Sequence, residues 1–467
     1  MTILDPASPA TTHPDAVAQL RADVIGPVLV AGDDGMAAET ATFNLAAVHD
    51  PAIAVGATCA EDVQAAVRWA VAHGLHVAVQ ATGHGPVAGV GRSTVLITTS
   101  RMRAVSIDPS RGVARVEAGT RWGDVIGAAA LHGLAPVCGS SSQVGVVGFT
   151  LGGGIGPFAR ERGFGADQVT YVEMVTADGE LTRVDADNRP DLFWAVRGGK
   201  GNFGIVTEME FRLAPVSSLY GAAVFYAAES ASEVLHAYRS WCAGLPEPTT
   251  TSIAFLRLPP LDTLPEPLRG QFVVHLRFAH NGPDEEGERL LAPMLEIGTL
   301  LHQAGTMPSS QFDAIHQDPT DPLPVWERGG LLSDLTAETV DAIVRTAGPD
   351  VDIPLFMVEV RQLGGALARQ PEAPNAVAGR DGAFSVLLLG PGVPGIEEAA
   401  IAAGDDIHAA LSPWLTGTSL LNFLGDSTTP EQVARAWKPE VHQRLLAIKH
   451  EVDPDNVFRM GHALSAE

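Results

Sequence analysis

Three glycine-dense stretches in the first half of the chain restrict its possible folds more than any other feature. They are QATGHGPVAG (80–89), VGVVGFTLGGGIG (144–156) and RGGKGNFGIVT (197–207). Glycine lets backbone approach a ligand closely and take dihedrals that other residues avoid. Successive exposed N–H groups in such loops form concave anion sites suited to a pyrophosphate. One loop of this kind says little. Three in one half-chain, with a lone histidine inside the first, point to a large dinucleotide laid across one domain.

A chain of 467 residues is too long for one small core and is expected to divide into two domains. Its net charge of −25, from 55 acidic and 30 basic residues, opposes nucleic-acid binding and disfavours anionic membranes. Three cysteines, Cys59, Cys138 and Cys242, form no C-x-x-C pair and give no disulfide framework. The segment MTILDPASPATTHPD lacks a basic stretch followed by an apolar one, and no apolar run reaches about 18 residues. The expectation is a cytoplasmic protein, monomeric or homodimeric, without a membrane span.

Hydrophobic periodicity predicts a helix over about 15–24, then strand, helix and strand across 51–80. Short strands at 95–98, 104–107 and 113–118, a helix at 124–131, and a hairpin around Asp178-Gly179 follow. Irregular alternation of this kind suggests an α+β domain. Beyond Pro215 longer strand-like stretches appear at 219–226, 252–258, 271–280, 355–362 and 384–389. Helical segments at 232–242, 285–295, 337–347 and 395–410 separate them, which predicts a large antiparallel sheet with helices on one face. The last 45 residues are expected to return to compact strand and helix.

His84 stands between Gly83 and Gly85, with Pro86 next, where no regular element explains it. A lone histidine is more often a surface or satisfied core residue, but the bare flanks favour a ligand. No paired spacing among the 15 histidines suggests a metal. LGGGIG (151–156) matches G-x-G-x-x-G only superficially, because no strand and following helix frame it. Arg197 and Lys200 are candidates to face phosphates, although solvated surface charge is the commoner explanation of a lysine such as Lys200.

Taken together, Gly83-His84-Gly85, VGVVGFTLGGGIG with RERGFGADQV, DLFWAVRGGKGNFGIVTEMEF and the tail DPDNVFR resemble the berberine bridge enzyme-like FAD-linked oxidases. These belong to the vanillyl-alcohol oxidase superfamily. The likeness in order and spacing covers about 51–215 and 419–460, and the tail looks closest to the 6-hydroxy-D-nicotine oxidase branch. In the middle, only EVRQLGGA (359–366) matches. The resemblance implies a two-domain PCMH-type FAD-binding fold, with an FAD domain from 1–215 and 420–467 around a substrate domain at 216–419. It also implies FAD bound covalently through His84. The family pattern R-x-G-G-H is altered here to Ala81-Thr82-Gly83-His84.

A second covalent link in some relatives uses a cysteine three residues before the valine of V-G-V. That position is Ser141, which implies a single bond and leaves Cys138 as a small buried side chain. Val144 occupies the place that relatives use as an oxygen gate, which favours an oxidase. The candidate FAD contacts are Ala81, Thr82, Gly83, His84, Gly85 and Pro86 in the first stretch. Ser140, Ser141, Val144, Gly145, Gly148, Phe149, Leu151, Gly152, Gly153, Gly154 and Gly156 follow in the second, then Asn202, Gly204, Ile205, Val206 and the tail residue Asn422.

Relatives often place a tyrosine base beside the asparagine of a strand matching 420–423, or in the last helix. Here those places hold Leu420, Phe423 and Trp437. Period-two alternation puts His275 and Arg277 on one face of the 271–280 strand, and Glu359 and Arg361 on one face of the 355–362 strand. With apolar faces turned to helices, the polar faces either meet the flavin or form a surface salt-bridge ladder. Glu359 and then His275 are the candidate bases, Asn422 is a further catalytic candidate, and Arg380 and His462 rank lower. The expected reaction passes a hydride from a small amine or alcohol to flavin, with dioxygen as acceptor and hydrogen peroxide as product. The alternative is a flavin-retaining, non-redox cyclase on the same fold.

Overall fold

Strand β2 (Ile53–Gly56) is apolar throughout because both of its faces are covered. In the computed structural model, which describes residues 14–85, 88–425, 427 and 429–465, it lies in a four-stranded sheet. Its partners are β1 (Val28–Val30), β3 (His76–Gln80) and β4 (Thr94–Thr98), in the order β1-β2-β4-β3. β4 runs parallel to both β2 and β3, so the chain needs a crossover. Helix Ala60–Ala72 supplies it. The buried Asp62 carboxylate fixes the start of that helix by accepting from the N–H groups of Ile25, Gly26 and Thr58.

The second sheet is antiparallel: β5 (Val105–Asp108), β6 (Val113–Glu117), β7 (Val169–Val175), β8 (Leu181–Asp185) and β9 (Ile205–Arg212), ordered β5-β6-β9-β7-β8. β7 and β8 form the hairpin expected at Asp178-Gly179. β9 joins two cores by simple alternation: Ile205 enters the core of the first sheet and Val206 that of the second.

The third sheet has seven strands, all antiparallel. They are β10 (Ser218–Ala227), β11 (Thr249–Arg257), β12 (Phe272–His280), β13 (Leu301–Pro308), β14 (Val325–Leu332), β15 (Met357–Gln362) and β16 (Phe384–Pro391). Their order is β13-β10-β12-β11-β15-β16-β14. Helices Ala231–Cys242, Asp284–Leu295, Ala337–Ala347 and Glu397–Leu411 cover one face. Val234, Leu291, Ile343 and Ile407 pack there against Leu276, Phe278, Val360 and Val386. Each such buried side chain contributes roughly 1.5–3 kcal/mol.

The fold is thus α+β, with two corrections to the sequence reading. β1, β9, β13 and β14 were not expected. β1, β13 and β14 are edge strands, where half of the hydrogen-bonding partners are missing and alternation is weakest, whereas β9 lies inside its sheet directly after the third glycine stretch. LHQAGTMP is largely exposed and VWERGGLL carries two glycines and two charges. The tail also lacks its expected strand. Leu421–Phe423 is a 3-10 turn followed by helices Pro430–Ala434 and Pro439–Val452. This turn rests on the open face of β14, where a side chain at Gly329 would collide with the Phe423 backbone. Lying on a face rather than at an edge, it has no ladder to join. No helix among the described residues is long and apolar enough to cross a membrane.

Candidate functional site

β3 ends at Gln80 and the chain turns through Ala81-Thr82-Gly83 onto residues 42–44. A Cβ at Gly83 would stand 2.8 Å from the Thr42 Cα, and its φ of +69° suits glycine. The His84 ring stacks on Phe43 with centroids 3.8 Å apart, and its Nδ1 is hydrogen-bonded to Thr82 Oγ1 at 2.9 Å. Its Nε2 is buried and has no partner among the described residues. Burial, and then the nearby Arg121 charge, lower its pKa from the ordinary 6.5 to about 4. The ring is therefore neutral near pH 7, with one nitrogen unsatisfied. Beside it, a Cβ at Gly85 would meet open space. Pro86 lies outside the described residues.

The second glycine stretch adjoins this loop. Ala81 and Thr82 side chains lie 3.5 and 3.4 Å from where a Gly145 Cβ would stand, and Gly145 pairs with Arg121 in an isolated bridge. Helix Val146–Leu151 buries Val146, Val147 and Leu151 but leaves Gly148 exposed, again with open space where a side chain would be. Phe149 meets Trp122 edge-on at 5.6 Å, and its carbonyl accepts from Asn422 Nδ2 at 2.8 Å. A side chain at Gly152 would collide with the Asn422 amide, and one at Gly156 with the Cys138 carbonyl. Gly153 and Gly154 carry the positive φ values that turn the chain between them.

Ser140 Oγ donates to Asp318 at 2.6 Å, and Ser141 Oγ accepts from the Gln143 N–H at 3.3 Å. Val144 is half-buried against the core. Cys138 is buried, and that burial raises its thiol pKa, so it supplies no thiolate. An unpartnered nitrogen at the end of a bare loop, with two glycines facing open space, fits FAD laid along 81–85 and 144–156.

In the third stretch the side chains serve packing and the tail. Arg197 does not face a phosphate: it is buried over the Phe193 ring and donates to the carbonyls of Phe193, Ala373 and Pro374. Lys200 is half-buried rather than solvated. Asn202 is satisfied by the chain itself, donating to the Gly199 and His462 carbonyls and accepting from the Leu464 N–H. A side chain at Gly204 would press on the Val175 carbonyl at 2.5 Å, and Ile205 and Val206 fill cores. These residues close the tail onto the domain. Arg380 and His462 are structural too. Arg380 pairs with Asp167 at 2.6 Å, and His462 Nε2 is hydrogen-bonded to the Gly425 carbonyl.

On the open face of the large sheet, register aligns two rows. One runs Phe225, His275, Ala254, Glu359 and Leu387; the next runs Ala223, Arg277, Ser252, Arg361 and Ser385. This face is buried, so it is not a surface ladder. Glu359 accepts from Arg277 Nη1 at 2.6 Å, from Arg361 Nη2 at 3.1 Å and from Ser252 Oγ at 2.7 Å. Burial alone would raise its pKa, but Arg361 and Arg277 outweigh that and hold it far below the carboxylate range. A carboxylate so held is a weak base.

His275 stacks on Phe225 at 4.1 Å, and its Nδ1 accepts from Arg277 Nε at 3.2 Å. The neutral ring then carries its proton on Nε2, and burial pushes its pKa well below normal. Neither candidate base is arranged to accept a proton. Met357, on the same face, belongs to a small apolar cluster that Phe423 adjoins, and Arg361 lies 5.9 Å above the Phe423 ring. The turn carrying Asn422 thus links the glycine segment to the sheet.

Sequence reasoning missed four contributors: Phe43, Arg121, Ser252 and His316. His316, buried on the short helix Asp313–His316, lies against the same buried face as Ser252, Arg277 and Arg361. Only Ser252 had a legible signal, its alternation with Ala254, and that required knowing which strands pair.

Comparisons with known proteins agree with this geometry. A family model described as "FAD binding domain" matches residues 51–185, and one described as "Berberine and berberine like" matches 421–465. The chain is 28% identical to the (R)-6-hydroxynicotine oxidase of Paenarthrobacter nicotinovorans, over 95% of this chain and 97% of that protein. It is 26% identical to the uncharacterized FAD-linked oxidoreductase YgaK of Bacillus subtilis, over 95% and 98%. The crystal structure of 6-hydroxy-D-nicotine oxidase from Arthrobacter nicotinovorans superposes with a TM-score of 0.82 at 26% identity, covering 95% of this chain and 98% of that one. A chitooligosaccharide oxidase at 19% identity shares the fold, with the same TM-score. Two matched domains, in the same order as the glycine loop and the closing tail, make the chain similar over nearly its whole length to FAD-linked oxidases, with an FAD-binding domain at 51–185 and a berberine-like segment at 421–465.

Proposed function

We propose that the protein is an oxidase of a small organic amine, with His84 as the covalent anchor of its FAD. The observation that carries this reading is the buried, neutral and unpartnered Nε2 of His84 at the end of a bare loop. When bound, FAD accepts a hydride from a substrate C–H and passes electrons to dioxygen, yielding hydrogen peroxide. His84 offers the lone nitrogen for attachment, while Thr82 fixes its ring through Nδ1. Gly148 leaves its backbone open, with nothing within 4 Å of where a side chain would stand. Val144, half-buried at the start of the second glycine stretch, is small enough there to leave room for dioxygen. Asn422 fixes the position of the Phe149 carbonyl.

An amine fits better than an alcohol because of what the sheet lacks. Glu359 is held ionised by two guanidiniums and His275 spends its acceptor nitrogen on Arg277. An alcohol normally needs a base to take its proton, whereas an amine can shed its own to solvent before the C–H bond breaks. Glu359 and the two arginines then act as a rigid electrostatic floor that orients the substrate.

An aerobic screen of amines and alcohols, read by peroxide formation, tests the reading alongside bleaching of the flavin under anoxia. Bleaching by an amine with peroxide on readmitting air is the expected result. Turnover of a substrate without bleaching or peroxide would support the cyclase reading instead.

A further inference from the structure

β13 and β14 follow one another in the chain but lie at opposite edges of the seven-stranded sheet. Helices cover one face, so the connection between the two strands, residues 309–324, crosses the other. Its first half is anchored. Phe312 and Ile315 are buried in the core of the second sheet, and Phe312 meets Phe158 edge-on at 5.2 Å. Asp313 accepts from the Ser142 N–H at 2.9 Å and from Ser142 Oγ at 2.5 Å.

The far end is anchored as well. The Leu323 N–H donates to the Phe43 carbonyl at 3.0 Å, and the Leu323 carbonyl accepts from the Leu45 N–H at 2.9 Å. The Asn44 side chain bonds both backbone groups of Val325, while the Asn44 N–H donates to the Gly83 carbonyl. Between these ends hangs a bridge, residues 317–322. The chain enters it at Gln317, whose φ is +56°, and it is exposed except at Asp318. Among the described residues, 319–322 make no hydrogen bond. One side-chain bond holds the bridge to the second glycine stretch: Ser140 Oγ donates to Asp318 at 2.6 Å.

The bridge is thus tied to both segments of the candidate cofactor site. Ser140 leads into Val144 and Gly145, against which Thr82 packs, and Phe43 carries the His84 ring. From Asp318 to Leu323 the chain reaches at most about 18 Å. It therefore passes beside His84.

We propose that residues 317–323 are a gate beside His84, latched by the Ser140–Asp318 hydrogen bond, which sets how fast small solutes reach the flavin. The proposal rests on the reading of FAD along 81–85 and 144–156. With the latch made, the gate is shut. With it broken, residues 318–323 peel from Phe43 and turn on Gln317 and on the Asn44–Val325 clasp. A hydrogen bond to a carboxylate is strong enough to move such an open–closed equilibrium about tenfold or more.

Sulfite, which adds to oxidised flavin and bleaches it, tests this on the FAD-loaded protein. Asp318→Ala should raise the rate of bleaching, and of its reversal on dilution, about tenfold each. The sulfite Kd should stay unchanged, because a gate alters passage in both directions. Ser140→Ala should do the same, and the double variant should be no faster than either single one. Asp318→Asn, which keeps an acceptor for Ser140, should stay near the wild-type rates. Unchanged rates in folded Asp318→Ala and Ser140→Ala would overturn the proposal. So would Asp318→Asn as fast as Asp318→Ala, since lost charge and not a lost latch would then be the cause.

Backbone hydrogen exchange supplies a readout that needs no flavin. The Leu323 N–H should exchange about tenfold faster in Asp318→Ala, with Phe312 and Ile315 unaffected. A Leu323 N–H that keeps its wild-type rate, or acceleration that spreads to Phe312 and Ile315, would sink the gate. Colourless wild-type protein would instead overturn the flavin reading, so the two failures are distinguishable.

Discussion

Around His84 the protein has cleared atoms away, whereas on the sheet at Glu359 it has crowded charges together. The first region is glycine backbone over open space, with a single nitrogen left without a partner. The second is a carboxylate gripped by two arginines and a serine, all within one buried layer. The difference teaches that the two halves of the site fail in different ways. Substitutions in the cleared region should change what is bound and spare the fold. Substitutions in the crowded region should damage the fold before they change any chemistry.

The largest effect is expected at His84. His84→Ala should move all flavin to the supernatant after acid precipitation, while the urea midpoint of the polypeptide changes little. Wild-type precipitate that is already colourless would show that no covalent bond forms. A flavinylated peptide containing Cys138 would overturn the single-link expectation.

Next comes Glu359→Gln, which leaves two buried guanidiniums without their anion. Removing one partner of a buried pair typically destabilises by about 3–5 kcal/mol. Urea denaturation should show a loss of that size. A normal midpoint with flavin reduction slowed about 100-fold would instead mark Glu359 as a base.

Val144→Leu adds bulk at the proposed approach for dioxygen. Reoxidation of reduced protein should slow about tenfold, equivalent to about 1.4 kcal/mol of barrier, with anaerobic reduction unchanged in stopped-flow traces. Equal slowing of both would mean that Val144 only packs.

Gly152→Ala should cost about 1–3 kcal/mol, because its new methyl displaces the Asn422 amide. Asn422→Ala in the same background should recover part of that loss, which a double-mutant cycle reads directly.

The smallest effect is a pH slope. Burial lowers His408 to about 4 and His462 to about 3, against an ordinary 6.5. Between these values the unfolded chain binds more protons than the folded one. Stability is therefore full above pH 6.5 and falls as the pH drops toward 4. His408→Gln should flatten part of that slope in pH-dependent melts.

The region of the first two glycine stretches was largely legible in the sequence, because open space and close backbone approach are both written as glycine. Gly83, Gly148, Gly152 and Gly156 each stand where a side chain would either clash or intrude on open space. The crowded region was legible only as alternation. His275 and Arg277 were placed on one face and Glu359 and Arg361 on another, and both faces proved to be the same buried surface. What alternation could not show was the pairing through β11 that brings Arg277 to Glu359, nor the loop that brings His316. In the third glycine stretch, Gly204 gives close packing against Val175 and Asn202 binds the tail. Edge strands and a turn lying flat on a sheet leave no periodic trace.

That flat turn has a consequence for how the protein is made. Asn422 reaches back to Phe149, His462 to Asn202, and Lys449 to the Asn202 carbonyl, each across more than two hundred residues. Every strand of the three sheets is synthesised before this closing segment. Contacts so distant in sequence form late. The nascent protein would therefore exist for a time with its sheets built and its cleft still open, giving a bulky cofactor its widest entry just before the tail shuts behind it.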